Sequence, residues 1–279
     1  MAHKQSRAGV MLADYKLSTP ERIVEFDLEP GWACHPEWGS DSPREVAFAE
    51  ALRQAVIAYA HLAYQVPFGA AFMMERMVFR VVGAHAERSS TVTLRSLSCE
   101  HRADRLTALV AEFCFEHEGQ TWIVGEGHLR VIPAAVYRRM RGERSGSNVL
   151  ARHPEIGSGY EILRSDGVVT GARYDPGHSL YFDHEVDHVP GMLLVAAAIE
   201  LFRDTHPGRC LSLLDARFLE YLELSEACRV ALTAAATGGD DGSDGAASAL
   251  RVDFPSGRES AAVIEVYAAV SVTAGMGTE

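Results

Sequence analysis

Tyr181-Phe182-Asp183-His184-Glu185-Val186-Asp187-His188-Val189-Pro190-Gly191-Met192-Leu193-Leu194 is the stretch from which the architecture can be read. An acidic loop with two histidines runs through Pro-Gly into an apolar, alanine-rich segment that continues to Phe202. Apolar residues on every side of such a segment predict a buried helix over Pro190 to Phe202. Imidazoles and carboxylates therefore gather where a buried helix begins. The first N–H groups of a helix have no partner within it and carry partial positive charge, which suits a polarised carbonyl or a developing oxyanion.

Working outward, the same order of elements occurs twice. Glu21 to Leu28 alternates Ile23, Glu25 and Asp27 with Val24, Phe26 and Leu28, the period of a half-buried strand. A Pro-, Gly- and Ser-rich loop over Glu29 to Pro43 leads to Arg44–Tyr64, whose apolar positions fill most of a helix circumference. After Val66-Pro67-Phe68-Gly69 the segments Phe72–Val82, Ser90–Ser98, Leu106–Glu116 and Thr121–Ile132 are rich in Val, Thr, Phe and Ile, which predicts four successive antiparallel strands. In the second half a strand over Gly167–Tyr174 precedes the opening stretch and its helix. Strands are again expected over Cys210–Leu222, Ala227–Thr237, Ala249–Phe254 and Ala261–Val272, with Gly238–Gly245 as a disordered hairpin tip. The helices align at Glu50 with Ala196, and the later strands at Arg76 with Asp215.

Duplication at this period means two domain-sized units. The expected fold class is α+β, a double hotdog. Each repeat curls an antiparallel sheet around its own long helix, and the sheets join edge to edge so that exposed backbone groups are paired. The boundaries read from the sequence are a flexible leader over residues 1–20, a first repeat over 21–132, a linker over 133–159 and a second repeat over 160–279.

Composition narrows the function. The chain is 47% hydrophobic and 23% charged, ordinary for a globular protein of 279 residues, and its formal charge of −12 argues against nucleic acid as a partner. Five widely spaced cysteines without a C-x-x-C pair suit reduced thiols and oppose a zinc site. Met1–Ala13 is polar and basic with no apolar core, and no run of about eighteen apolar residues occurs anywhere, so a cytoplasmic, non-secreted protein with no membrane partner is expected.

The opening motif, with Phe48-Ala49-Glu50-Ala51-Leu52-Arg53-Gln54-Ala55 and Gln65-Val66-Pro67-Phe68-Gly69, resembles the A-factor biosynthesis hotdog family, whose members are implicated in making γ-butyrolactone and related butenolide autoregulators. The resemblance spans both halves, from about Ser42 to about Leu222. It implies a β-ketoacyl transferase that moves the acyl group from an acyl carrier protein or acyl-CoA thioester to the hydroxyl of dihydroxyacetone phosphate or a similar three-carbon phosphorylated acceptor. No cofactor belongs to the protein on this view, since the phosphopantetheine arm is the donor's. Two other readings stand beside it: a hotdog dehydratase or thioesterase acting on an acyl thioester, and a non-catalytic ligand-binding or regulatory module.

The resemblance also suggests that a site joins the loop of one half to the helix of the other. His188 with Glu50 keeps both partners and forms the catalytic pair, either member of which can act as the base. The mirror site would join His35 or Asp41 to Ala196 and lacks its acid; Ile199 and Glu200 stand where the first helix has Arg53 and Gln54. Glu50 is either a general base or an acid satisfied by Arg53. Gly191 and Met192 would supply backbone N–H groups to the thioester oxygen, or simply cap the helix. Arg53 is the candidate for the substrate phosphate, Gln54 for a hydroxyl, and His184 and Asp187 for orienting His188. Asp183, His184, Asp187 and His188 have the composition of a metal site, but their crowding on one short loop argues for none. The basic run Arg138–Arg144 is a solvated linker or a contact for the acidic face of a carrier protein. A homodimer is compatible with the sequence.

Overall fold

The computed structural model describes residues 9–34, 43–83, 86–142, 153, 155–157, 159–178, 180–182, 186–224, 227–234, 249–256 and 259–268. In the first half β1 (Leu12–Ser18) and β2 (Ile23–Leu28) precede α1 (Arg44–Tyr64), followed by β3 (Ala71–Val81), β4 (Thr91–Arg102), β5 (Arg105–His117) and β6 (Gln120–Ile132). A short helix α2 (Ala134–Arg141) leads to the second half. There β7 (Tyr160–Ser165) and β8 (Val168–Tyr174) precede α3 (Gly191–Thr205), and β9 (Leu211–Phe218), β10 (Cys228–Arg229), β11 (Ala231–Ala234), β12 (Ala249–Ser256) and β13 (Glu259–Ala268) follow. One ten-stranded sheet runs β1-β2-β4-β5-β6-β3-β9-β13-β12-β11, and a small sheet runs β10-β8-β7.

The expected double hotdog is present. Alternate residues Met77 and Phe79 of β3, Phe113 and Phe115 of β5, Leu214 and Ala216 of β9 and Ile264 and Val266 of β13 are all buried. They form the inner face on which the helices lie. α1 begins after Pro43, buries most of its circumference and ends where Gln65 turns left-handed at φ 55°. It approaches β6 closely enough that a Cβ on Gly127 would stand 2.8 Å from Val56 Cγ2.

The halves join where β3 pairs antiparallel with β9, with Met77 opposite Ala216. The offset of 139 that aligns Arg76 with Asp215 carries Met77 onto Ala216, so a quasi-twofold axis passes through this pair. Arg76 Nε and Nη2 donate to the Asp215 carboxylate at 2.9 and 2.7 Å, and Arg217 Nη2 adds a bond of 2.9 Å. Burial pushes the Asp215 carboxyl up, but these bonds outweigh it and the net shift is downward. Arg76 is thus part of the seam.

Several boundaries are corrected. Leu12–Ser18, inside the span expected to be a leader, forms β1 on β2; Ala13, Tyr15 and Leu17 alternate with Asp14, Lys16 and Ser18, but its side chains are nearly all exposed, so backbone pairing does most of the holding. The expected linker contains α2, and β7 precedes the strand read at Gly167–Tyr174. The strand expected through Leu222 stops at Phe218, where Leu219 and Glu220 both donate their backbone N–H to Ala261 O. The strand expected over Ala227–Thr237 is split at Val230, β10 joining β8 and β11 joining β12. The Gly238–Gly245 run lies outside the described residues.

Gly125 and Gly127 test this packing. A Cβ at Gly125 would stand 2.0 Å from the Val78 carbonyl oxygen, which is backbone, whereas at Gly127 it meets a side-chain methyl. Gly125→Ala should destabilise by about 1–3 kcal/mol or more, as overpacking does, and Gly127→Ala by less, read from urea midpoints.

Candidate active site

α1 and the loop before α3 meet beside the seam. Glu50 is buried, at 2% exposure, in the middle of α1. A buried carboxylate must be paired. Its Oε2 accepts Arg53 Nε at 2.7 Å, and Oε1 accepts Arg53 Nη2 at 2.7 Å and Gln54 Nε2 at 2.9 Å. Gln54 is fully buried behind it; its Nε2 also donates to Gly9 O and its Oε1 accepts the Met11 N–H. Of the two readings of Glu50, the geometry shows the acid satisfied by Arg53. Gln54 fastens the N-terminal segment to α1.

His188 comes from the other half. Its Nδ1 lies 2.7 Å from Asp187 Oδ1. From that partner we assign the neutral ring's proton to Nδ1, which leaves the Nε2 lone pair as the acceptor. The loop is pinned by a bridge between His188 and Glu223 and by a bond of 2.8 Å from Val189 N–H to Leu222 O. The Tyr221 ring meets the imidazole edge-on, with centroids 4.6 Å apart. Behind the imidazole, Asp187 Oδ1 also accepts Tyr137 Oη at 3.0 Å, and Asp187 Oδ2 accepts Arg141 Nε at 2.7 Å. Burial would push the Asp187 carboxyl up; bonds from His188, Arg141 and Tyr137 outweigh it and hold the group well below the usual carboxylate range. Burial, and after it the Asp187 charge, pushes the Tyr137 phenol up.

His188 and Glu50 line one cavity of about 230 Å³, together with Arg53, Gly191 and Met192. At a share of roughly 30 Å³ per water molecule, this is room for several waters or a short acyl segment. Phe72, Met73, Met74, Met77, Leu194 and Phe218 make its wall largely apolar. Consecutive residues of β3 reach it because the strand shifts register between Met74 and Arg76. Gly191 opens α3 where a Cβ would stand 2.8 Å from the Phe218 ring, so the helix start needs glycine for this approach. The first N–H groups of α3, those of Gly191 and Met192, have no acceptor one turn back.

A-factor biosynthesis hotdog domains match this chain twice, over residues 2–133 and 129–271. The chain belongs to that family. One relative, the 2-oxo-3-(phosphooxy)propyl 3-oxoalkanoate synthase of Streptomyces virginiae, is 28% identical over 252 residues, 82% of this chain and 84% of its own. The protein of the same name from Streptomyces coelicolor is 29% identical over 205 residues, 66% of this chain and 65% of its own. Among solved structures, the 12:0-ACP thioesterase of Umbellularia californica superposes with a TM-score of 0.51 at 12% identity, covering 88% of this chain and 96% of that one. A hotdog-fold protein of unknown function from Alicyclobacillus acidocaldarius gives 0.50 at 10% identity, covering 96% and 100%. At these identities the superpositions show the fold alone.

Of the residues expected at the site, Glu50, Arg53, His188, Gly191 and Met192 are brought together at the cavity, while Gln54 and Asp187 stand behind its lining. His184 lies outside the described residues, as do His35 and Asp41. Ala196, expected where the mirror site lacks its acid, and Ile199, which stands where the first helix has Arg53, are fully buried, and the Ala196 carbonyl accepts Tyr160 Oη at 3.2 Å. Among the described residues no group of three or more His, Cys, Asp or Glu is placed to hold a metal, and no helix is long and apolar enough to cross a membrane. Arg141, Tyr137, Tyr221 and Glu223 were not anticipated. The spacing of Tyr137 and Arg141, four apart, puts them on one helix face and was the available signal.

Asp187 offers a test of this geometry. Its proton is bound more weakly in the folded chain, so it contributes stability above the ordinary carboxylate range that is lost as pH falls through its depressed native value. Asp187→Asn should lower the urea midpoint at about pH 7, and the gap from wild type should narrow from about pH 5 towards about pH 3.

Proposed function

We propose that the chain is an acyltransferase that moves a β-ketoacyl group from a carrier thioester to the hydroxyl of dihydroxyacetone phosphate or a similar acceptor, as a step in making γ-butyrolactone or butenolide autoregulators. The observation that carries this reading is that His188 of one half and Glu50 of the other line a single apolar-walled cavity. The names of the two Streptomyces relatives support the substrate class.

In the mechanism, His188 Nε2 takes the proton of the acceptor hydroxyl and the oxygen attacks the thioester carbonyl. The tetrahedral oxyanion is held by the Gly191 and Met192 N–H groups at the positive end of α3. Its collapse breaks the C–S bond, and the leaving thiolate recovers the proton from His188. Glu50 is a poorer base because both its oxygens already accept charged or amide donors; it holds the Arg53 fork at the cavity wall. Arg53 is the positive side chain that meets the acceptor phosphate.

Purified protein incubated with a β-ketoacyl thioester and dihydroxyacetone phosphate should yield the phosphorylated ester. His188→Ala should lower the rate by about 10²–10⁴, the span of a lost general base. Glu50→Gln should raise KM for the phosphorylated acceptor by loosening Arg53. Free acid, or loss of water from a 3-hydroxyacyl thioester, with no ester formed would make the chain a thioesterase or dehydratase. Unchanged turnover in both variants would take the chemistry away from His188 and Glu50, and tight lactone binding without turnover would make the chain a binding module.

A further inference from the structure

α2 has one buried residue, and that residue is an arginine. Arg141 is 5% exposed, while Arg138, Arg139, Val136 and Met140 around it face solvent. Taking a guanidinium out of water is unfavourable unless its donors are met. Here they are met by two acids from two other segments. Nε donates to Asp187 Oδ2 at 2.7 Å and Nη2 to the Asp187 carbonyl at 3.0 Å. Nη1 and Nη2 form a second fork with Glu223, at 2.8 and 2.9 Å. The guanidinium carbon also lies 4.2 Å from the centroid of the Tyr221 ring, the same ring that meets His188 edge-on. One side chain from the segment between the halves thus fastens the loop before α3 to the stretch after β9.

The division of Asp187 is the decisive detail. One carboxylate oxygen is given to Arg141 and the other to His188 Nδ1, with Tyr137 Oη as an additional donor to the latter. We propose that Arg141 is a positioning residue for His188, acting through Asp187. It fixes the carboxylate so that Oδ1 faces Nδ1, which keeps the imidazole proton there and the lone pair on Nε2. It also draws part of the Asp187 charge to itself through the bond from Nε to Oδ2. This rests on the reading of His188 as the base. Among the described residues, the charged and titratable groups around the pair are Asp187 on its loop, Tyr181 before it, Glu223, Tyr221 and Glu220 after β9, Tyr137 and Arg141 on α2 and Glu50 and Arg53 on α1. Among these, Arg141 is the cation bonded directly to Asp187.

The signs follow from the geometry. Removing the Arg141 charge leaves Asp187 to stabilise the imidazolium alone, so His188 should titrate at higher pH. Removing the Glu223 charge strengthens the hold of Arg141 on Asp187, so His188 should titrate lower. A charge acting only through space predicts both shifts with the tautomer unchanged, so the tautomer is the readout that singles out positioning.

The experiment is nitrogen-15 and carbon-13 NMR of histidine-labelled full-length protein, with the His188 signal assigned by its loss in His188→Gln. This reads the ring without any substrate, so it stands or falls separately from acyl transfer. Wild type should show protonated Nδ1 and bare Nε2 in the neutral ring. Arg141→Met should raise the midpoint by about one pH unit, a tenfold change in proton affinity, and mix the tautomers. Glu223→Gln should lower the midpoint, and it keeps the proposal testable if Arg141→Met fails to fold. Arg141→Lys, which restores charge without the fork, should recover most of the midpoint but not the single tautomer. Where turnover is measured, Arg141→Met should lower kcat with little change in KM for the thioester and move the acidic limb of the rate profile upward. A folded Arg141→Met protein with wild-type midpoint and tautomer would overturn the proposal, as would Glu223→Gln shifting the midpoint upward.

Discussion

The pairing of β3 with β9 is the constraint on which the rest of the molecule depends. Each half is a sheet curled on a helix, with one open edge of backbone donors and acceptors. Joining the two edges satisfies those groups and fixes the halves about a quasi-twofold axis at Met77 and Ala216. Everything at the site follows from that placement. Glu50 on the first helix and His188 before the second could not face one cavity if the sheets met in another register, because a slip of one residue would turn Met77 outward and put Arg76 among the buried side chains. The Arg76–Asp215–Arg217 cluster on the outer face reinforces the register by joining charges that only this pairing brings together.

Much of this was legible because it is written in period and composition. α1 was found to its ends, since a run of 21 positions with apolar residues on all sides buries itself best as a helix. The duplication and the edge-to-edge join could be read from the order of elements, and the cross-half pairing of His188 with Glu50 from the family likeness. What escaped were elements that bury little apolar surface of their own. β1 alternates Ala13, Tyr15 and Leu17 with Asp14, Lys16 and Ser18, but the run is short, stays largely exposed and hangs on β2 by backbone bonds, so it reads as part of a polar leader. α2 reads as a basic linker because its one buried side chain is itself an arginine. Its role is set by Asp187 and Glu223, 46 and 82 residues away, and no local pattern reports contacts at such separation.

The two charge clusters at the cavity have a common logic. Glu50 is held by Arg53 and Gln54, and Asp187 by Arg141, Tyr137 and His188, so each acid has its oxygens filled by donors from fixed elements. Rigidity of this kind is what a site needs, since a loosely held group samples unproductive geometries. The two halves differ in where they place polar side chains. The first helix keeps its acid, arginine and amide, while the second presents Ala196 and Ile199 and serves as packing. The duplication is symmetrical in backbone and asymmetrical in chemistry.

The seam also fixes an order of events during synthesis. Leaving the ribosome first, residues 9–132 can close their own sheet, seat α1 and tie Gln54 to Gly9 and Met11, yet β3 then stands as an unpaired edge in the middle of what will be a continuous sheet. It must wait until β9, more than a hundred residues later, arrives to cover it. A nascent chain in that interval carries a ready template for pairing with a second copy of itself. The eight residues of α2, short and held at Arg141 by groups not yet made, leave the first half free of the second until its strand is complete.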